Sequence, residues 1–417
     1  MSEQQDATVP LELVLDVGAP AAGGSFVARA DDGRVVFVRH ALPGERVRAV
    51  VTQSATSYLR ADAVEVLTPS PERVEQPCPY ARPGRCGGCD YQHAPLALQR
   101  RFKAELVAEQ LRRLAGMELV PDVEEVPGAP DGLGWRTRLH LSVDEAGRPG
   151  LHRHRSHDLE HVDRCLIAAP DVEAIGAERL LWPGAASVEV AGIEGQRVAS
   201  VLSRRRAQLR LPELEAGVVA DGRAVQAPHG LAHDVRGRRF EVAAGGFWQV
   251  HVGAAETLAS AVLGGLEPRE GERALDLYAG VGLFAALIGE RVGETGAVLA
   301  VEEDRRACAD AARNTADLPH VRVRTAAVTR PLLREQHGAD LVVLDPPRAG
   351  AGIGLTRALA AMRPRRLAYV ACDPASFARD LRVLLDAGWS MPSLRAFDLF
   401  PMTEHVELVA VLEPPAS

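Results

Sequence analysis

The sequence predicts an α/β protein in three consecutive parts: a small β-barrel at 1–70, a β-rich middle at 71–245 and an open sheet wrapped by helices at 246–417. Three observations carry this expectation. Residues 10–68 hold five short segments rich in β-branched residues, some separated by glycine or Asp-Gly turns. From Gly246 onward, apolar runs alternate with helical ones, the pattern of a parallel sheet with crossover helices. One of those runs passes directly into a glycine turn, at the edge where open α/β sheets hold ligands.

Composition bounds the rest. The chain has 417 residues, 47% of them apolar and 25% charged, which suits a multidomain globular protein. No apolar run reaches the roughly 18 residues of a membrane span. The opening MSEQQDATVP has neither the basic start nor the apolar stretch of a secretory signal. A cytoplasmic monomer without membrane contact is therefore expected. A net charge of −8 argues against a general nucleic-acid coat but leaves room for local basic tracks. One comprises Arg100, Arg101, Lys103, Arg112 and Arg113. A second runs through Arg136, Arg138, Arg148, Arg153 and Arg155 with interleaved histidines. A third is Arg204, Arg205, Arg206 and Arg210. Each is equally readable as a solvated face.

Along the chain, LELVLDV, GSFVAR, RVVFVRHAL, RVRAVVTQ and ADAVEVL read as strands of an OB-like barrel, a fold that often binds nucleic acid. TPSPERVEQP reads as a linker. Cys78, Cys86 and Cys89 follow as C-x7-C-x2-C, and Cys165 stands far downstream. Disulfides do not suit a cytoplasmic chain. Four such thiols can hold a [4Fe–4S] cluster or a tetrahedral zinc. Apolar positions at helical spacing predict a helix over 96–116, stopped by Gly116.

In the C-terminal part, LDLYAGVGLF is an apolar strand entering a glycine turn, where Gly280 and Gly282 let the backbone approach a ligand. Glu302 ends the next strand, placed for ribose hydroxyls. LDPPRAG ends a third strand, with Asp345 in a rigid Pro-Pro turn. In this order the three motifs favour S-adenosylmethionine over NAD. Cys372 lies between a strand and a helix beginning near Pro374, a position that lowers a thiol pKa. Glu404 and Glu407 stand at the mouth of a late strand. A cysteine and a carboxylate on neighbouring strand ends are what methylation of pyrimidine C5 requires. The thiolate adds at C6, C5 becomes nucleophilic, and a base then removes the C5 proton.

These motifs resemble the TRAM-domain 5-methyluridine RNA methyltransferase family, over nearly the whole chain. LPGERVRAVV and the segment YLRADAVEVLTPSPERVEQPC resemble its TRAM domain, GGFWQVH its FxQVN, DLYAGVG and LDPPRAG its motifs I and IV, YVACDPASFARD its YVSCNPATLARD, and FPMTEHVE its FPxTxHxE. The resemblance implies a Rossmann-like class I methyltransferase domain and an RNA substrate, 23S rRNA first and tRNA as the alternative. It implies that Gln249, Tyr278, Glu302 and Asp345 line the cofactor site, that Cys372 is the nucleophile and that Glu407, not Glu404, is the base. CPYARPGRCGGCDYQH resembles the family's cluster-binding loop, which implies a [4Fe–4S] cluster rather than zinc. His251, Leu283 and Ala327 depart from the family pattern. Two rival readings are a DPP-containing nitrogen methyltransferase, which needs neither Cys372 nor Glu407, and a non-catalytic RNA-binding factor with a degenerate fold.

Overall fold

A computed structural model describes residues 11–336 and 338–416. MSEQQDATVP, on which the reading of a missing signal rests, lies outside the described residues. The chain divides into two compact units. One is the chain up to Phe102 with Leu151–Glu160 and Pro401–Glu404; the other is Lys103–Gly150, His161–Phe400 and the chain from His405 onward.

The first unit is built on a six-stranded sheet, with strands Glu12–Asp16, Pro20–Ala21, Ser25–Arg29, Val35–Arg39, Arg46–Ser54 and Tyr58–Thr68. The sequence suggests only five strands, because Pro20–Ala21 is too short to carry a pattern. Alternation turns Phe26, Val36, Val38, Val47 and Leu59 inward, each 0% exposed. Three register shifts between the two longest strands curl the sheet. Backbone bonds from Gly18 N to Val27 O (2.7 Å) and Val27 N to Ala19 O (2.9 Å) draw it toward closure. The unit does not end at residue 70. Tyr91, Ala94, Leu98 and Phe102 join the same apolar cluster, and the Phe102 ring packs edge-on to Phe26 at 5.0 Å.

The helix Leu96–Gln110 begins in the first unit and from Lys103 belongs to the second, where it runs into a π turn at Leu111–Ala115 and stops at Gly116, whose φ of 69° an L side chain rarely adopts. Strands Arg138–Val143, Ala185–Ile193, Gln196–Ser203, Gly217–Ala220 and Arg223–Gln226 form the middle sheet, and Gly230–Val235 pairs with Arg238–Ala243 as a hairpin. The C-terminal sheet has eight strands, ordered Val321–Thr325, Ala297–Glu302, Arg273–Leu277, Leu341–Leu344, Arg366–Ala371, Glu407–Glu413, Ser390–Asp398, Val123–Glu125. Its first five are parallel, as expected. Glu407–Glu413 is antiparallel to both its neighbours, which corrects the expected parallel sheet. The cause is the link Leu399–Val406, which contains no crossover helix and so turns the chain straight back. Apolar clusters cover both faces. That double burial explains the continuous apolar run Leu341–Leu344.

Lys103, the sole lysine, was expected on a solvated basic track. It is instead 0% exposed, ion-paired to Asp398 and bonded to Phe400 O at 3.0 Å. An unpaired ammonium could not be buried at this depth. Among the described residues, no helix is long and apolar enough to cross a membrane.

Candidate active site

Strand register gathers the residues that the sequence singles out. Leu277 pairs with Val301 and Leu344, Leu344 with Tyr369, and Ala371 with Leu408. Tyr278, Asp345 and Cys372 therefore leave their strands at one carboxyl edge, where Glu302 ends its own. Glu407 begins its antiparallel strand at that same edge, beside Cys372. Glu404 goes elsewhere: in the first unit its carboxylate accepts from the amides of Gly23 and Gly24.

The Cys372 thiol is pushed up to about 11, chiefly by burial, next by the Glu407 carboxylate, with the Arg348 guanidinium opposing. This corrects the expectation of a lowered value at a helix N-terminus. The Asp373 side chain caps the helix Pro374–Asp386 by accepting from Ser376 N at 2.7 Å, so a carboxylate already occupies that positive end. Glu407 is 5% exposed, and burial and then Asp345 hold its proton affinity well above the ordinary carboxylate range, with Arg348 again opposing. Thus one cation opposes the shift of both the Cys372 thiol and the Glu407 carboxyl. Arg348 Nη2 lies 3.3 Å from His405 Nε2. The His405 ring meets Phe400 edge-on at 6.0 Å. Sequence reasoning passed over Arg348; its signal is its place immediately after the Asp-Pro-Pro turn.

The glycine turn is an open cradle. Tyr278, Gly280 and Gly282 all have positive φ, at 65°, 53° and 85°. A Cβ at Gly280 would meet nothing within 4 Å, whereas one at Gly282 would press on Ala311 at 3.2 Å. Gly280 therefore leaves room for a ligand, and Gly282 allows close helix packing. Glu302 Oε2 accepts from Gly280 N at 2.9 Å, and Oε1 from Glu303 N and Asp304 N at 2.8 Å each, which fixes the carboxylate against the turn.

Below the turn, Asp276 is 0% exposed, and one carboxyl oxygen accepts from Ala285 N at 2.8 Å. The other has no partner among the described residues. Burial lifts its pKa to about 7, and also that of half-buried Asp345 to about 7. The sign follows from linkage. Folded Asp276 keeps its proton above pH 3.8, where the unfolded side chain has begun to lose it, so it costs stability as pH rises from about 4 to about 7. Asp276→Asn removes that cost. We expect it to raise stability at about pH 8 by roughly 2–4 kcal/mol and to leave it little changed at about pH 4. Thermal unfolding at both pH values checks this; identical pH slopes in the two proteins would refute it.

A carboxylate on the helix that follows Cys372 braces the candidate site. Asp380 Oδ2 accepts from Tyr369 Oη at 2.7 Å, Ala351 N at 2.8 Å and Gly352 N at 3.1 Å. It thereby ties the strand leading to Cys372 to the loop leaving Asp345 and Arg348. A Cβ at Gly350 would fall 2.7 Å from that oxygen, so the loop needs glycine there.

Gln249 sits half-buried on the loop after the hairpin, where its carbonyl accepts from Thr137 Oγ1 at 3.2 Å. His251 is 2% exposed and stacks on Trp135 at 5.8 Å. Its Nδ1 accepts from Gly253 N at 2.9 Å, and burial lowers its pKa to about 4, so it is neutral at ordinary pH. Leu283 is 6% exposed within the apolar core, and Ala327 is exposed beyond its strand. Leu283 is therefore a packing residue.

The cysteine set behaves differently. Cys78 and Cys89 are buried and Cys86 is half-buried in the first unit, while Cys165 belongs to the second. Cys78 N donates to the Gln92 side chain at 3.0 Å, and Cys86 forms a β-bridge with Arg153. Burial pushes the Cys78 thiol up. Among the described residues, no group of three or more His, Cys, Asp or Glu side chains is placed to hold a metal ion. The cluster or zinc expected on these thiols therefore has no support among the described residues.

Comparison with known proteins agrees with this architecture. Residues 13–64 match the TRAM domain family. An RNA methyltransferase of Streptomyces coelicolor is 49% identical, over 97% of this chain and 93% of its own length. The 23S rRNA (uracil(1939)-C(5))-methyltransferase of Alkalilimnicola ehrlichii is 34% identical, over 94% of each chain. The crystal structure of the Pyrococcus abyssi tRNA (uracil-54, C5)-methyltransferase in complex with S-adenosyl-L-homocysteine covers 95% of this chain and 100% of its own, at TM-score 0.70 and 23% identity, a likeness of fold. With its barrel, its doubly covered sheet and these full-length relatives, the chain belongs to the TRAM-domain RNA methyltransferase family.

Proposed function

We propose that the protein methylates C5 of a uridine in RNA, with 23S rRNA as the target, acting as a monomer in the cytoplasm. The observation that carries this is the register that sets Cys372 beside Glu407 at the sheet edge facing Asp345 and the glycine turn. A nitrogen methyltransferase has no use for that pair. S-adenosylmethionine, held by Tyr278, Gly280, Gly282, Glu302, Asp345 and Gln249, supplies an electrophilic methyl group. The open space over Gly280 and the fixed Glu302 carboxylate fit such a ligand.

The remaining chemistry belongs to the chain. The Cys372 thiolate adds to C6 of the uracil, and C5 gains the electron density to take the methyl group. Glu407 then accepts the C5 proton as the C6–sulfur bond breaks, restoring the ring double bond and releasing the sulfur as the thiolate that began the cycle. A carboxylate whose proton affinity is raised by burial is a stronger base once ionised. Arg348 favours the thiolate. The uridine must leave its stack for C6 to reach a half-buried sulfur, so loop or single-stranded RNA is the substrate. The Cys78–Cys89 loop has no step in this reaction, and an iron–sulfur cluster on it has the family resemblance alone for support.

Mass spectrometry of nucleosides from 23S rRNA and tRNA of a strain lacking the gene tests the proposal. We expect one 5-methyluridine to vanish from 23S rRNA and to return with the intact gene. Loss from tRNA instead would reassign the target. Unchanged 5-methyluridine in both would overturn the activity.

A further inference from the structure

Two arginines of the first unit converge without a salt-bridge partner among the described residues. Arg60 leaves the strand Tyr58–Thr68, and Arg155 lies on the Leu151–Glu160 segment of the same unit. A Cβ built at Gly23 would stand 3.7 Å from Arg155 Nη2 and 3.9 Å from Arg60 Nη1, so both guanidiniums crowd over the Gly23–Gly24 turn. The nearby carboxylates are engaged. Glu404 accepts from the two glycine amides; Asp90 pairs with Arg39 at 3.2 Å and accepts from Glu404 N at 3.2 Å. Among the described residues, neither Arg60 nor Arg155 forms an ion pair, and the buried Arg60 Nε has no hydrogen-bond partner.

The arrangement is held in place although it is electrostatically unfavourable. The Arg60 guanidinium lies 5.4 Å from the Phe37 ring centroid and 5.5 Å from that of Tyr58. Arg155 adopts a left-handed φ of 51°, a backbone state that costs energy outside glycine. Burial, then Arg60 and Arg39, depress its proton affinity, and Tyr58 and Glu404 oppose them without reversing the shift. Converging like charges held by aromatic packing and backbone strain are a site preorganised for an anion, because the anion removes the repulsion. Two planar forks, one of them exposed, match the oxygens of a phosphate. The half-buried Phe37 and Tyr58 add aromatic surface for a neighbouring base.

We propose that Arg60 and Arg155 clamp one phosphodiester of the RNA on the first unit. The inference rests on the reading above that the substrate is RNA. The test uses the full-length protein and fluorescein-labelled oligouridylate, with anisotropy followed over a salt series. Arg155→Glu, at an exposed position, and Arg60→Gln are each expected to weaken binding roughly tenfold and to make the slope of log K against log salt shallower by about 0.7, while S-adenosylmethionine binding by calorimetry is unchanged. Unchanged oligouridylate affinity and slope in both variants would overturn the clamp. Inorganic phosphate, titrated alone, separates the sources. Phosphate binding that is lost in Arg155→Glu while oligouridylate affinity holds would overturn the RNA assignment. No methyl transfer enters this measurement, so a failed uridine assay and a failed clamp are distinguishable.

Discussion

Cys372→Ala is expected to lower methyl transfer to uridine by roughly ten-thousandfold or more, while S-adenosylmethionine binding persists. The reason is chemical. Uracil C5 does not attack a sulfonium methyl until a nucleophile has added at C6, and an alanine side chain offers none. Cys372→Ser should fare little better, because an alkoxide would be needed in a site that already lifts the thiol to about 11 through burial and the Glu407 carboxylate. The same value implies that wild-type activity still climbs as pH rises above neutral, since the reactive thiolate is a minority there. Initial rates on unmodified RNA and cofactor titration of the same preparation check both points. Near-normal turnover by Cys372→Ala would transfer the reaction to the nitrogen-methylating class, which shares the Asp-Pro-Pro turn but needs no thiol.

The legible part of this protein is the part whose side-chain period or turn chemistry is local. The C-terminal strands and helices follow from apolar runs buried on two faces and from the glycine turn that begins a helix. What escaped is non-local. The strand Val123–Glu125 joins the edge of a sheet whose nearest other strand begins at Arg273, and three residues carry too little pattern to announce it. The antiparallel turn of Glu407–Glu413 depends on what Leu399–Val406 lacks, a crossover helix, rather than on the strand's own residues. Lys103 looked like part of a basic track because its burial partner, Asp398, is distant in sequence. For the candidate site, Cys372, Glu404 and Glu407 stood out as reactive types at strand ends. The supporting groups did not. Arg348, Asp276 and Asp380 act through burial and through contacts made only on folding. The Cys372 value shows the same limit: the helix start was readable, but the burial and the facing Glu407 carboxylate that outweigh it were not.

Glu407→Gln separates the two halves of the reaction. An amide cannot take the C5 proton, so the methylated base should stay bonded to Cys372, and turnover should fall by about 10²–10⁴-fold. The first half should survive. Glu407 lifts the Cys372 thiol, so its neutral replacement relieves that repulsion and leaves addition at C6 no slower. The expected signature is an RNA–protein adduct, stable in denaturing electrophoresis, that carries one methyl group per chain and forms within a single turnover. Glu404→Gln is the matched control. Its carboxylate serves the Gly23 and Gly24 amides, so any loss there should come without an adduct. If Glu407→Gln turned over at the wild-type rate, proton removal would belong to another group, and the register that sets Glu407 beside Cys372 would have no catalytic meaning. If it lost methyl transfer without trapping RNA, Glu407 would act before the C5 proton is removed. Asp345 and Arg348, the charged groups that shift its proton affinity, would then be the next to exchange.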